Sequence, residues 1–392
     1  MVVPLISQAP ELPDAVRQFT MSRLQQLRGQ RQYVDVRFSK SRNPAYDATH
    51  KKNYVNGYSG WLTIDPLARK IVLTVITPGA SRLYKSKECT TFVKHSYDYT
   101  YTFDEAFRMQ PVGTVKTVLK RMWSLEKETI DETIAGLMLH QMVEIQHPHS
   151  VAKAPFNHQP IRAAGNSKGI KWETVQREYD ADLGKVAAKR SPIPMTTRAM
   201  LFCCVEVAVA LSRIHQMGIL HCDVRPPNVL LENMPEGKKA CLNDFGLAQR
   251  CFDDEVEGAP YVYWDSLAES GVFHYFTDIY GLAISVGQIL WGMKFYNLAK
   301  DKTQLKGPLF AALAAEPIQN QPPGQPSQQC RHTAYRLINE VIQADSKLTK
   351  LYNDPSSLAL PYRQRLERLS KQHVSAQAFA DNLRQLIGLL EP

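Results

Sequence analysis

No run of 18 consecutive apolar residues occurs in this 392-residue chain, so the sequence offers no candidate membrane-spanning helix. The opening stretch, Met1 to Pro10, lacks a basic region followed by a long apolar one, which argues against a secretory signal. None of the seven cysteines (Cys89, Cys203, Cys204, Cys222, Cys241, Cys251 and Cys330) belongs to a CxxC pair, and their number is odd. Neither a zinc site nor a disulfide framework is indicated. Reduced thiols in an intracellular compartment, cytoplasmic or nuclear, are expected. Internal repeats are absent as well.

What is present is an ordinary apolar fraction of 44%, enough to build a real core, in a chain long enough for two domains or one large bilobal unit. The net charge is +9, with basic residues spread along the chain and thickening between Arg17 and Lys52. Charge bears on solubility and nonspecific binding rather than on fold. The balance therefore reads first as a basic surface, with docking of acidic partners or nucleic acid by the basic N-terminal region kept as the weaker alternative.

Residues Asp14 to Arg28 form an amphipathic pattern with Val16, Phe19, Leu24 and Leu27 on its apolar stripe. Arg31 to Gly60 is polar and shows no period. Trp61–Ile64 and Ile71–Ile76 are apolar and β-branched with Asp65-Pro66 between them, which predicts a hairpin. Thr91 to Lys94 reads as a short strand, and Leu125 to Val143 as a helix stopped by His147-Pro148. Ala154 to Trp172 is rich in loop residues.

From Thr196 to Met217 the sequence is apolar nearly all round, as a helix in the middle of a domain must be, and Gly218 is placed to end it. Short strands are predicted at Val229–Leu231 and Ala240–Leu242, a second buried helix at Asp278–Trp291, a surface loop at Gln319–Gln329 and a closing amphipathic helix at Ala376–Leu390. Strands with one helix, followed by a mostly helical second half, make an α+β layout in two lobes.

The chemistry concentrates just after the first buried helix. Asp223 and Asn228 stand five apart on a loop between helix and strand, and Asp244-Phe245-Gly246 follows the second strand. Phosphoryl transfer needs a carboxylate near the acceptor hydroxyl, oxygen ligands for Mg²⁺ and cations around the phosphates. Asp223, Asn228 and Asp244 supply those oxygens, and Arg225 supplies a cation beside them. A basic cleft would also suit a nucleoside triphosphate.

These residues resemble the protein kinase superfamily. His221-Cys222-Asp223 with Asn228 is similar to the catalytic loop H-R-D-x-x-x-x-N, and Asp244-Phe245-Gly246 to D-F-G. The resemblance implies a bilobal kinase-like fold with a β-rich N-lobe (76–178) and a mainly helical C-lobe (179–392), preceded by an N-terminal extension (1–75) of unknown role. It implies ATP and Mg²⁺ as cofactors and a protein substrate, with phosphate passed to Ser or Thr.

By the same resemblance Asp223 is the catalytic base, Asn228 and Asp244 bind the metal, and Arg225 steadies the γ-phosphate. Leu230 lies under the adenine, Glu178 falls at the hinge, and Asp182 faces the ribose. Lys94 grips the α- and β-phosphates, with Glu128 or Glu132 as its partner. Thr77 to Arg82, with Gly79 as its one glycine, takes the place of the glycine-rich loop. Asp278 opens the large buried helix and braces the catalytic loop.

The pattern also departs from the family. Cys222 replaces an arginine, and the segment Leu247 to Tyr263 holds no Ser or Thr. Activity is therefore expected not to need Ser/Thr phosphorylation there; activity switched on by phosphate on Tyr261 or Tyr263 would replace that expectation with a tyrosine-based switch. Ala259 replaces the usual threonine, Trp264-Asp265-Ser266 stands in place of A-P-E, and the arginine that would pair with its glutamate is missing too. Two other activities stay open on these grounds: a small-molecule kinase of the same fold, and a pseudokinase scaffold.

Overall fold

The computed structural model describes residues 10–27, 31–40, 53–77, 82–85, 89–124, 127–158, 161–162, 170–234, 237–251, 259–319, 328–372 and 374–390. The chain divides into two compact units: Met1–Asp131 with Pro155–Glu178, and Glu132–Ala154 with Tyr179–Pro392.

The first unit is an antiparallel sheet over one helix. Helix α1 (Asp14–Gln26) buries Val16 and Leu24 on the stripe its spacing predicts. They join Phe38, Leu62, Ile64, Ile71 and Leu73 in one apolar cluster on a face of the sheet. The strands are β1 (Val34–Phe38), β2 (Gly60–Asp65), β3 (Lys70–Ile76), β4 (Arg82–Lys85), β5 (Cys89–Phe103) and β6 (Met109–Ser124), then β7 (Phe156–Asn157), β8 (Ile161–Arg162) and β9 (Ile170–Arg177). Their order is β1-β2-β3-β5-β6-β9-β7, with β4 on β5 and β8 on β9.

The predicted hairpin is β2–β3, paired from Gly60↔Val75 to Asp65↔Lys70. The short strand expected at Thr91 is the start of a 15-residue one. No break falls at 75/76, because β3 hydrogen-bonds to β5 from Lys70↔Thr102 to Ile76↔Ser96. Strands β1, β2 and β3 thus belong to the same sheet as β5 and β6.

Helix α2 (Lys127–Gln146) follows β6 and continues into the second unit, where Leu139 and Val143 enter the core. That unit contains β10 (Ala181–Asp182), α3 (Leu183–Ala187), α4 (Thr197–Gln216), β11 (Ile219–Leu220), β12 (Val229–Met234), β13 (Gly237–Leu242) and β14 (Gln249–Arg250). The helices α5 (Tyr275–Ala299), α6 (Lys302–Leu305), α7 (Pro308–Ala314), α8 (Gln328–Tyr352), α9 (Pro355–Leu358), α10 (Tyr362–Ser370) and α11 (Ala376–Gly388) complete it.

Helix α4 is capped by Thr196, whose hydroxyl accepts the Ala199 N–H. It buries Leu201, Val205, Val207, Leu211 and Ile214, each worth roughly 1.5–3 kcal/mol of transfer free energy. Gly218 follows it with φ +71°, a left-handed conformation that a glycine adopts without steric cost. Helix α5 is buried along most of its length and kinks at Gly292, directly after the predicted end at Trp291. The α+β layout expected from the sequence is present, a sheet-rich first unit and a mainly helical second one.

Candidate active site

Three short elements at the end of α4 and the start of α5 position the acidic residues. Strand β11 leads into the loop His221–Arg225, a 3₁₀ turn covers Pro226–Asn228, and the hairpin β12–β13 pairs Val229 with Leu242. Asn228 and Asp244 consequently stand at the same end of one hairpin. The Asn243 N–H donates to the Asn228 carbonyl at 2.8 Å, which fixes that end.

The loop is held from beneath by Asp278, in the first turn of α5. Its Oδ1 accepts the Cys222 N–H at 2.8 Å, and its Oδ2 accepts the His221 N–H at 2.9 Å and the His215 ring at 2.8 Å. Burial pushes the Asp278 pKa up, but the hydrogen bond and charge of His215, the charge of His221 and the His221 N–H together bring it below the usual value. The bonds from Asp278 also hold Cys222 at φ +61°, a left-handed backbone that is strained for a residue with a side chain. The Cys222 carbonyl in turn accepts the Trp264 indole N–H at 2.7 Å. Burial raises the Cys222 thiol well above its ordinary pKa, so it is an inert packing group.

His221 locks the loop from the other side. Its Nε2–H donates to the Asn243 carbonyl at 3.0 Å, and its Nδ1 accepts the Asp223 N–H at 3.3 Å. The ring meets Phe245 edge-on, with centroids 4.7 Å apart. His140 of α2 stacks on the same Phe245 at 4.4 Å and bonds the Ala152 carbonyl through Nε2. Gly136 lies one turn earlier, where a Cβ would come within 2.1 Å of the Phe245 carbonyl oxygen.

The carboxylate of Asp223 is surrounded by donors. Oδ2 accepts the Asn228 amide at 2.6 Å and Arg225 Nε at 3.2 Å, while Oδ1 accepts the Tyr261 hydroxyl at 2.8 Å. Burial raises the Asp223 pKa, Arg225, Tyr261 and His221 oppose the rise, and the charge of Asp244 adds to it. Asp223 and Asp244 therefore feel each other's charge. Because the Asn228 NH₂ donates twice to Asp223, its Oδ1 is the atom left for a metal. Asp244 has φ +63°, a second left-handed backbone position in this segment.

Other expected residues have mixed surroundings. Leu230 is half-buried on β12 opposite Asp182 of β10, while Leu231 beside it is in the core. Asp182 caps α3, accepting the Lys185 N–H at 2.8 Å and pairing with the Lys185 ammonium at 2.5 Å. Glu178, in the first unit, pairs with Lys116 at 3.1 Å and His95 at 3.3 Å.

Lys94 is on β5, where burial lowers its pKa and the charges of Arg121, Lys40 and Arg37 lower it further against Glu173. The strand that runs into α2 is β6, which carries Lys120. Gly79 and the side chains of Glu128 and Glu132 lie outside the described residues.

A sequence model of the protein kinase domain matches residues 116–349, more than half of the chain. The chain belongs to the protein kinase family. Curated relatives of the kinase include mouse serine/threonine-protein kinase D3, 27% identical over 184 residues (46% of this chain, 19% of the relative). Human serine/threonine-protein kinase D2 is 27% identical over 196 residues (48% and 21%). The serine/threonine-protein kinase PknJ of Mycobacterium tuberculosis is 28% identical over 156 residues (38% and 24%). The kinase thus spans only about a fifth to a quarter of the length of these relatives. Lys94 and Gly79 precede the matched stretch, whereas Lys120 and all of Asp223, Arg225, Asn228 and Asp244 fall within it.

Several supporting residues of the kinase carried no motif in the sequence. Asp265, in the stretch that replaces A-P-E, is buried, accepts the Leu267 N–H at 3.0 Å and pairs with His274 at 3.3 Å. Burial raises its pKa, but the charge of His274 and its hydrogen bonds bring the net below normal. Asp345 accepts Ser266 N–H at 2.8 Å and Ser266 Oγ at 2.7 Å and pairs with Lys306 at 2.8 Å. The Glu173 cluster in the first unit is likewise assembled from Arg37, Trp61 and Arg121.

Proposed function

We propose that the chain is an ATP- and Mg²⁺-dependent protein kinase acting on serine or threonine hydroxyls. The observation that carries the reading is the Asp223 carboxylate, braced through Asp278, bonded to Asn228 and coupled to Asp244. Asp223 orients the acceptor hydroxyl and takes its proton. Arg225 stands beside it as a phosphate-facing cation.

The donor set fits Mg²⁺. Asn228 and Asp244 offer hard oxygens, and no group of three His, Cys, Asp or Glu gathers among the described residues to make a closed cage. Mg²⁺ characteristically takes one or two protein oxygens and completes its shell with phosphate and water. When bound it would neutralise charge on the phosphates.

The family also calls for a lysine on a strand before the long helix. Lys94 is the candidate from the sequence pattern, and Lys120 is the candidate from its position on the strand leading into α2. Leu230 and Asp182 are retained as adenine and ribose contacts, and Glu178 as the hinge carboxylate.

A transfer assay with Mg²⁺-ATP and a panel of Ser/Thr peptides and small-molecule alcohols tests the reading. Wild type is expected to label peptide, and Asp223→Asn and Asp244→Ala to fall by about 100-fold or more. Labelled small molecules with bare peptides would replace the protein substrate with a metabolite. Nucleotide binding without any transfer would make the chain a scaffold. Lys94→Met and Lys120→Met, measured side by side, decide which lysine the nucleotide needs.

A further inference from the structure

We infer that Arg37, Lys94 and Arg121 form a binding site for a phosphate-type dianion on the face of the sheet opposite Lys120. The site lies wholly within the first unit and does not depend on the phosphotransferase reading.

Strand register sets the faces. In an antiparallel sheet, residues directly opposite share a face and successive residues alternate. Lys94 lies opposite Leu119, and Arg121 is two residues beyond Leu119, so these three side chains take one side. Lys120, opposite Val93, takes the other. On β9, Glu173 lies opposite Arg121 and Val175 opposite Leu119. Trp61 and Ile76 cluster with Leu119 and Val175, and the Trp61 indole N–H donates to Glu173, so β2 joins this side. Arg37 of β1 lies opposite Trp61. Strands β2, β3, β5 and β6 separate β1 from β9 in the sheet order, yet Arg37 Nε reaches Glu173 at 3.0 Å. The sheet therefore curls until β1 comes over β9.

Glu173 anchors both arginines from inside. Its carboxylate is fully buried and takes Arg37 and Arg121 each through Nε. Nε is one donor of the guanidinium fork, which leaves the terminal nitrogens of both arginines to donate elsewhere. Among the described residues those nitrogens make no hydrogen bond or ion pair. The two side chains keep 12% and 20% exposure, so their outer ends meet solvent. Forks pinned at the inner nitrogen and open at the outer ones suit the oxygens of a tetrahedral anion.

Lys94 adds a cation that no described carboxylate pairs with. Burial lowers its pKa, and the charges of Arg121, Lys40 and Arg37 lower it further against that of Glu173. Lys40 stands exposed just beyond β1. Cations thus outnumber the carboxylate they gather around, and an entering dianion relieves their repulsion. Arg37, Lys40 and Lys94 all precede the stretch 116–349 that matches the protein kinase domain, so most of the cluster lies outside what that domain supplies.

A free phosphate ion and the phosphates of a nucleotide share this chemistry. Lys120, the strand lysine within the matched stretch, points away from the cluster, which favours the separate ion.

Isothermal titration of the full chain with sodium phosphate, against sodium chloride at equal ionic strength, tests the site. It is run with and without Mg²⁺ and a saturating non-hydrolysable ATP analogue. Wild type is expected to bind phosphate saturably, and to keep that affinity with the nucleotide present. Lys94→Met is expected to weaken it by about tenfold or more and Lys94→Arg to restore it, while Lys120→Met binds phosphate as wild type does. Lys94 has no described ion pair to lose, and an unchanged urea midpoint checks that Lys94→Met is folded. Phosphate that acts no differently from chloride overturns the inference, as does an affinity unmoved by Lys94→Met. Displacement of phosphate by the nucleotide, or its loss in Lys120→Met, gives the cluster to the nucleotide and overturns a separate site. None of these readings requires phosphoryl transfer, so the inference and the kinase reading fail independently.

Discussion

Asp278 is the residue whose replacement most directly tests how the loop is built. Its two oxygens satisfy the N–H groups of His221 and Cys222 and the ring of His215. Removing the carboxylate leaves two buried backbone donors without an acceptor, at about 1–3 kcal/mol each. Breaking one side of a buried charged pair costs about 3–5 kcal/mol by itself. These costs overlap, so Asp278→Ala is expected to lose about 3–5 kcal/mol, a large part of the 5–15 kcal/mol typical of a domain.

Asp278→Asn is the more informative change. One amide oxygen still accepts from the loop while the NH₂ is set against the other N–H, for about 2–4 kcal/mol. Urea unfolding measures it, as a lower midpoint at unchanged slope. The loss extends to catalysis, because Cys222 is then free to relax from φ +61° and carry Asp223 with it. A displacement of about 1 Å costs roughly 100-fold in rate.

The acid dependence has a fixed sign. The folded pKa of Asp278 is depressed, so its contribution is present above the unfolded value and is lost as pH falls through the folded one. The stability gap between wild type and Asp278→Asn must shrink in acid. A variant within about 1 kcal/mol of wild type that keeps its kcat would refute the bracing argument.

Glu173→Leu leaves Arg37, Arg121 and the Trp61 N–H around an apolar group and is expected to lower stability of the first unit by about 3–5 kcal/mol, read by urea unfolding. His140 is buried with its pKa lowered to about 4 from 6.5, so its neutral form stabilises the fold above pH 6.5 and that stability drains away as pH falls toward about 4. His140→Phe keeps a ring on Phe245 and should flatten thermal stability against pH across that window. Gly136→Ala drives a methyl into the Phe245 carbonyl and is expected to cost about 1–3 kcal/mol and most of the transfer activity, measured by calorimetry and by the peptide assay.

Helices α4 and α5 and the placement of the acidic loop were legible because their signals are local, whereas the 25-residue α8 was not identified. Helix α4 declared itself by a run of apolar residues between Thr196 and Gly218, and Asp223, Asn228 and Asp244 by spacing across one hairpin. Strand β6 was not legible, since Pro111 and Gly113 interrupt a segment that only pairing with β5 and β9 makes a strand. Strand β1 was missed for the same reason, within a polar stretch without a period. The Glu173 cluster draws on positions 37, 61, 121 and 173, too far apart for any motif. Tyr261 was visible only as one of two tyrosines, because what sets it apart is a hydroxyl meeting an acid 38 positions away.

Gly136 has no side chain to act as a cushion between α2 and the main chain at Phe245 and Gly246. The two segments mesh like gear teeth, with no slack to absorb a slip. The solvent side of the same helix carries Met138, Met142 and Ile145 in the open. A push or rotation applied to that outer surface near Gly136 is therefore expected to be felt at Phe245, and through it at Asp244 next door.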